Sequence, residues 1–302
     1  EDNLEGIIVK QEDTLASKEQ KQIQLLLKRK AIVKPVMLTY PYNEDISALT
    51  KLIIEQKEPI FDLEFESENA HHLIWSVEEP TLIFEFQRLF DAYVSKAIIA
   101  DGHHRTSTNA LLYQKAKNDE EKKRFGKLLS AFFPSNQIDI LDFNRVVELD
   151  ANTVSMTRLM ASLSTITDIY PSDDPVKPVR KYEMGMFLNN EWYLLRWRGE
   201  IIKEYEKLGI VLDCTLLDEL ILDKILGIKD TKNDQRLYYV EGPKGIEGLV
   251  KRVQKVGTAV GFNMYPVQFE EMEAITDLGG VLPPKSTWFE PRMKNGLIVY
   301  DL

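Results

Sequence analysis

The hydrophobic pattern of this chain switches between short unbroken apolar runs and an apolar spacing of three to four. Residues 6–9 are a short strand. Ser17 and Gln20 form a capping box ahead of Ile23, Leu26 and Leu27, which recur at helical spacing. Residues 34–40 read as a strand that stops at Pro41, and Asp45 caps a helix carrying Leu49, Leu52 and Ile53. Residues 59–65 and 72–77 read as strands, and 81–93 as a helix with Leu82, Phe86, Leu89 and Phe90 on one face. A strand over 96–100, an Asp101-Gly102 turn and a helix from about 104 to 116 follow.

In the second half, 138–147 reads as one strand, and Asn152 or Thr153 starts a helix. The Pro-, Asp- and Ser-rich residues 171–178 read as a surface connection. Residues 184–188 and 192–197 flank Asn189-Asn190, a turn signal for a β-hairpin. Helices are expected over 215–226, 246–256 and 270–278, and strands over 236–240, 258–265 and 297–300. The expected class is mixed α/β in two domains, 1–150 and 151–302, a division that 302 residues allow.

Charge narrows the function. With 38 basic against 48 acidic residues the net charge is −10, which argues against generic nucleic-acid binding. Any anionic ligand needs a local basic pocket. The single cysteine, Cys214, excludes an internal disulfide and a multi-cysteine zinc site, and its context points to reducing cytoplasm and an inert buried thiol. No apolar run approaches a membrane span and no signal-peptide pattern appears. Walker A, Rossmann glycine, Cys-x-x-Cys and Gly-x-Ser-x-Gly patterns are all absent.

All four histidines fall in two adjacent pairs, His71-His72 and His103-His104. The second pair sits in Asp101-Gly102-His103-His104-Arg105-Thr106-Ser107-Thr108, where a strand passes through a glycine into a helix. A helix start leaves backbone N–H groups unpaired and favours anions. Arg105 can grip a phosphate, the hydroxyls of Thr106, Ser107 and Thr108 can donate, and the imidazoles can donate or move protons. Asp101 is suited to bind Mg²⁺ or to take a proton from an attacking hydroxyl. The competing reading makes Asp101 a helix cap and one histidine a core residue.

A second phosphate-suited loop is Pro283-Pro284-Lys285-Ser286-Thr287, followed by Glu290 and Arg292, which can pair. The alternative is a surface loop stapled by Trp288 and Phe289. Adjacent residues on a strand face opposite ways, so at most one of His71 and His72 reaches a site, and His71 reads as structural. Asp62 is a carboxylate inside a strand-like run, at an edge or functional.

These stretches, with Asp142-Phe143-Asn144-Arg145-Val146-Val147 and Leu222-Asp223-Lys224-Ile225-Leu226-Gly227-Ile228, closely resemble the bacterial domain-of-unknown-function 1015 family. That family is related to the ParB/sulfiredoxin-like free serine kinases. The resemblance implies a ParB/sulfiredoxin-like core with a mixed sheet and flanking helices, plus a C-terminal α+β region. It implies a Mg²⁺-dependent kinase that makes O-phosphoserine from free L-serine, with pyrophosphate, or else ADP, as donor. Gly102, His103, Arg105, Thr106, Ser107, Lys285, Ser286 and Thr287 would hold phosphates. His104 and a carboxylate, Asp101 or Asp62, would act on protons, Asp101 would meet the metal, and His72 and Glu290 would face the substrate. A ParB-like nucleotide-binding regulator without turnover is the alternative. Two departures stand out: Gln11, near Glu12-Asp13-Thr14, replaces a histidine of relatives, and Lys21-Gln22 replaces Asp-Arg. Relatives also carry further chain ahead of the segment that begins here, so the first domain is expected to lack its N-terminal part.

Overall fold

The structure, a computed structural model, describes residues 6–12, 16–66, 70–150 and 155–302. The chain forms two compact units. One comprises residues 1–9, 19–138 and 295–302, the other residues 10–18 and 139–294. The changeover thus falls at 138/139 rather than near 150, and the run expected as one strand over 138–147 breaks at Asp142 inside the second unit. Its first piece, Asp139–Leu141, and its second, Phe143–Glu148, join different sheets.

The first unit contains β1 (Ile8–Val9), β2 (Ala31–Ile32), β3 (Val36–Tyr40), β4 (Phe61–Phe65), β5 (Ala70–Ile74), β6 (Ala97–Asp101) and β7 (Ser130–Pro134). Its main sheet has the order β1-β6-β3-β7 and is mixed: β1/β6 and β3/β7 are parallel, β3/β6 antiparallel. β3 and the first four residues of β6 are buried on both faces, which is why each reads as an unbroken apolar run. Val36, Leu38, Ala97 and Ile99 form one core cluster, and Tyr40, Ile46 and Leu89 another.

The helices of this unit are α1 (Ala16–Arg29, of which residues 19–29 belong here), α2 (Glu44–Gln56), α3 (Pro80–Tyr93), α4 (His103–Gln114) and α5 (Asp119–Phe125). α1 starts before Ser17, so the expected capping box is not its start; the Ser17 side chain lies outside the described ones. α2 is capped by Asn43, which accepts from Ile46 N at 3.0 Å, not by Asp45. α5 and β7 were not legible in the hydrophobic pattern: α5 is short and almost wholly charged, and β7 is five mixed residues.

The second unit contains β8 (Asp139–Leu141), β9 (Phe143–Glu148), β10 (Thr167–Ser172), β11 (Glu183–Leu188), β12 (Glu191–Trp197), β13 (Leu237–Glu241), β14 (Ala259–Met264) and β15 (Trp288–Glu290); a last strand, β16 (Tyr300–Asp301), pairs with β2 in the first unit. Its six-stranded sheet is antiparallel, ordered β10-β12-β11-β14-β9-β13. The expected hairpin is present, with Asn189 and Asn190 at φ 52° and 63° as a two-residue primed turn requires. Helices α6 (Met156–Ile166), α7 (Gly199–Glu206), α8 (Asp213–Leu216), α9 (Gly245–Val256) and α10 (Phe269–Asp277) complete it. α8 continues as a π-helical stretch, Leu217–Asp223, where a single α-helix over 215–226 was expected. α6 is capped by Ser155; the expected start at Asn152 or Thr153 lies outside the described residues. Among the described residues no helix is long and apolar enough to cross a membrane.

Candidate functional site at the start of α4

β6 delivers Asp101 to the sheet edge, Gly102 turns the chain, and α4 begins at His103. Gly102 has φ 110°, a region that L side chains avoid, and a Cβ there would sit 2.8 Å from Arg105 Nη2 and 3.1 Å from Val36. The glycine therefore permits both the turn and the place of Arg105. The first intrahelical bond runs from Thr106 N to Gly102 O at 2.9 Å. The N–H groups of His103, His104 and Arg105 precede it at the positive end of the helix.

Arg105 is locked by its neighbours. Its Nη2 donates to Asp101 Oδ2 at 3.1 Å and to Pro35 O at 3.2 Å. Lys34 Nζ meets the same Asp101 oxygen at 3.0 Å. Burial alone would raise the Asp101 pKa, but Arg105 and Lys34 outweigh it and hold the carboxyl at about 2. Such a carboxylate is a weak base at neutral pH. It is also pressed by two cations, the opposite of what a metal ligand needs. Among the described residues no group of three or more His, Cys, Asp or Glu side chains is placed to hold a metal ion. Among the described residues, Asp101 is therefore better described as the anchor of Arg105 than as metal ligand or base.

The other expected residues divide. Thr106 is buried and its hydroxyl donates back to Gly102 O at 3.2 Å, so it is turned away from any ligand. Ser107 donates to the Glu19 carboxylate, brought in by α1. Asp62 and His72 lie on the β4–β5 hairpin, a sheet of its own. There Asp62 bonds His71 at 2.5 Å, raising the imidazole pKa through that hydrogen bond, and His72 stands edge-on to Phe65 at 5.4 Å.

In the second unit, Lys285 holds φ 58° and places Nζ 5.3 Å from the centre of the Phe143 ring. Ser286 is buried; its hydroxyl donates to Pro283 O at 2.6 Å and accepts from Cys214 Sγ at 3.3 Å. Thr287 accepts from Gln11 Nε2 at 3.4 Å. Glu290 accepts from Trp288 Nε1 and from Arg292 N, while the Arg292 guanidinium lies 3.6 Å over the Trp288 ring. These contacts staple the loop, and Lys285 and Arg292 are exposed.

Sequence reasoning missed Lys34, Glu19 and a cavity of about 240 Å³ beside Arg105. Arg29, Lys34, Arg105, Thr108 and Asn109 are among its polar lining residues, with Gln22 and Asn295. No local signal joins these positions; Arg105 and Pro35, for example, are seventy residues apart.

A mixed α/β protein in which Lys34, Asp101 and Arg105 meet at a strand-to-helix turn is thus defined. Residues 1–218 match the family described as a protein of unknown function, DUF1015, and the chain belongs to that family. No curated protein matches the sequence. Among solved structures it is similar to a free serine kinase in complex with ADP, at 12% identity and a TM-score of 0.43, over 96% of this chain and 88% of that one. It is also similar to SbnI with a C-terminal truncation from Staphylococcus aureus, at 11% identity and a TM-score of 0.48, over 96% and 82%. A third is a conserved hypothetical protein from Pyrococcus furiosus, at 15% identity and a TM-score of 0.41, over 98% and 91%.

Proposed function

We propose that this protein is a phosphotransferase that moves a phosphoryl group from a small phosphate donor, ADP or pyrophosphate, to the hydroxyl of free L-serine. The observation that carries the reading is the α4 start, where the chain turns at Gly102, φ 110°, into the positive end of the helix beside an Arg105 fixed by Asp101. Phosphoryl transfer asks mainly for positioning and for charge that offsets the donor oxygens. The N–H groups of His103, His104 and Arg105 and the Arg105 guanidinium supply both, with Asp101 and Lys34 as positioning residues.

In the reaction the serine Oγ–P bond forms, the bond from phosphorus to the leaving phosphate oxygen breaks, and the hydroxyl proton needs an acceptor. Glu19 is our choice for that acceptor in place of Asp101 or Asp62, because it reaches the first turn of α4 through Ser107. His104 remains a candidate to protonate the leaving oxygen. In the second unit, Ser286, Thr287 and Glu290 are assigned to holding the loop that exposes Lys285.

The test is to supply L-serine with ADP, ATP or pyrophosphate, with magnesium, and measure O-phosphoserine. Arg105→Ala should lower the rate about 100-fold or more, since an arginine at a transferring phosphoryl group supplies several kcal/mol. No O-phosphoserine with any donor removes the reading, and full activity in Arg105→Ala removes the site.

A further inference from the structure

The structure assigns an anion site to the groove between α9 and β13, and its ligand class is a compact organic polyanion carrying several phosphate groups. The groove lies in the second unit, uses none of the residues at the α4 start and does not depend on the phosphotransfer reading. Its volume is about 340 Å³, a size that suits a small molecule. Gly248 shapes it. A Cβ there would fall 2.4 Å from Lys244 Cβ and 3.3 Å from Val240 Cγ1, so the glycine lets Lys244 and Val240 stand where they do.

The lining is cationic on a chain whose net charge is −10. Lys244, Lys251, Arg252 and Lys255 stand there against one carboxylate, Glu247. Glu247 meets Lys251 only at 3.7 Å, with both side chains exposed, and such a pair offsets little charge. Lys244 is paired with Glu241. Among the described residues neither Arg252 nor Lys255 has an ion-pair partner. Arg252 instead lays its guanidinium 5.3 Å from the centre of the Tyr238 ring, which holds the fork in place. A helix face that is merely solvated pairs opposite signs at i, i+4, yet residues 251–255 carry three cations and no acid. The helix dipole accounts for a cation in the last turn, such as Lys255. It does not account for Lys244 at the N-cap, where a cation is disfavoured.

Spacing selects a polyanion over a single ion. At the helical rise, Lys244 and Lys251 stand about 10 Å apart along the axis, and Lys251 and Lys255 about 6 Å. An exposed lysine gains little from one anion in water. A molecule whose charges meet three or four cations adds those gains after losing its translational freedom once. Phosphate groups suit the lining better than carboxylates, because each brings close to two negative charges and three acceptor oxygens. The Arg252 fork can take two of those oxygens. The ligand is compact because α9 ends at Val256 and its cations end with Lys255. An extended polynucleotide or an anionic membrane would meet the repulsion of the chain's overall charge as well.

Calorimetry on the full chain would use inositol hexakisphosphate as the polyanion and inorganic phosphate as the single ion. The hexakisphosphate is expected to bind at least about 100-fold more tightly. Lys251→Gln with Lys255→Gln should weaken it about tenfold or more. The same loss of charge at Lys203 and Lys207, exposed lysines outside the groove, should change it less than about twofold, and Arg105→Ala should leave it in place. Circular dichroism checks the fold. If the Lys251/Lys255 variant does not fold, Glu247→Gln decides, since removing the one lining carboxylate should tighten binding. No binding of the hexakisphosphate, an affinity no better than that of phosphate, equal losses in the two lysine pairs, or loss in Arg105→Ala overturns the inference. Tighter binding of phosphatidylserine vesicles or of a single-stranded oligonucleotide through Lys251 and Lys255 overturns it too, in favour of a membrane or a nucleic acid.

Discussion

Asp101 shows how a single side chain changes role once its neighbours are known. Alone it reads as a base or a metal ligand. Between Lys34 and Arg105 it is a carboxylate held at about 2. Because its folded pKa lies below the ordinary value near 3.9, its contribution to stability is present above about pH 4 and is lost as pH falls through about 2. Asp101→Asn should therefore cost about 2 kcal/mol at pH 7, and the deficit should shrink towards pH 2. Urea unfolding at a series of pH values measures this. The same variant releases Arg105, so binding of a phosphate donor should weaken with it. Glu19 and Lys34 reached the site by tertiary contact alone. The residues themselves carried no mark that separates them from other surface charges.

The elements were legible where the signal is local. β3 and β6 are unbroken apolar runs because both faces of their sheet are covered. Asn189-Asn190 predicted a hairpin because few other residues tolerate two successive positive φ values. Replacing both by alanine should cost roughly 2 kcal/mol, from about 1 per residue forced left-handed, and Asn190→Gly should be neutral or stabilising; thermal unfolding distinguishes the two. Other elements were hidden. Pro171 and Ser172 look like a loop, yet they extend β10 in register with Tyr193 and Trp192. The break at Asp142 was invisible because residues on both sides are strand-formers, and only their different sheets separate them. The π-helical stretch 217–223 carries an ordinary apolar helix pattern, so its wider turn was not legible, although its core members Leu217, Leu220, Ile221 and Leu222 were.

For the molecule as a whole, stability against pH turns on a second carboxylate. Asp213, in the second unit, accepts from Tyr182 N at 2.9 Å. Burial lifts its pKa to about 7, against the pull of that N–H and of Lys181, while Glu271 adds to the rise. A raised carboxylate works in the opposite sense to Asp101: its stabilisation is full below about pH 4 and is lost as pH rises through about 7. Asp213→Asn should keep the Tyr182 contact and flatten the stability profile between pH 4 and 8, with a gain at pH 8 of at most about 4 kcal/mol. A native-like fall in stability over that range in the variant would exclude Asp213 as its source.

The sequence by itself determined the mixed α/β class, the family, the strand-glycine-helix segment 101–108 and the Asn-Asn hairpin. Each of these is written in neighbouring residues: apolar runs, a glycine before a helix, two residues that accept positive φ. Tertiary structure alone decided where the polar groups of that segment point. Thr106 turned inward, Ser107 met Glu19, Asp101 was neutralised by Lys34 and Arg105, and a cavity opened beside Asn109. Side-chain direction and charge pairing depend on residues tens of positions away. No spacing along the chain encodes them until the sheet and helices bring those residues together.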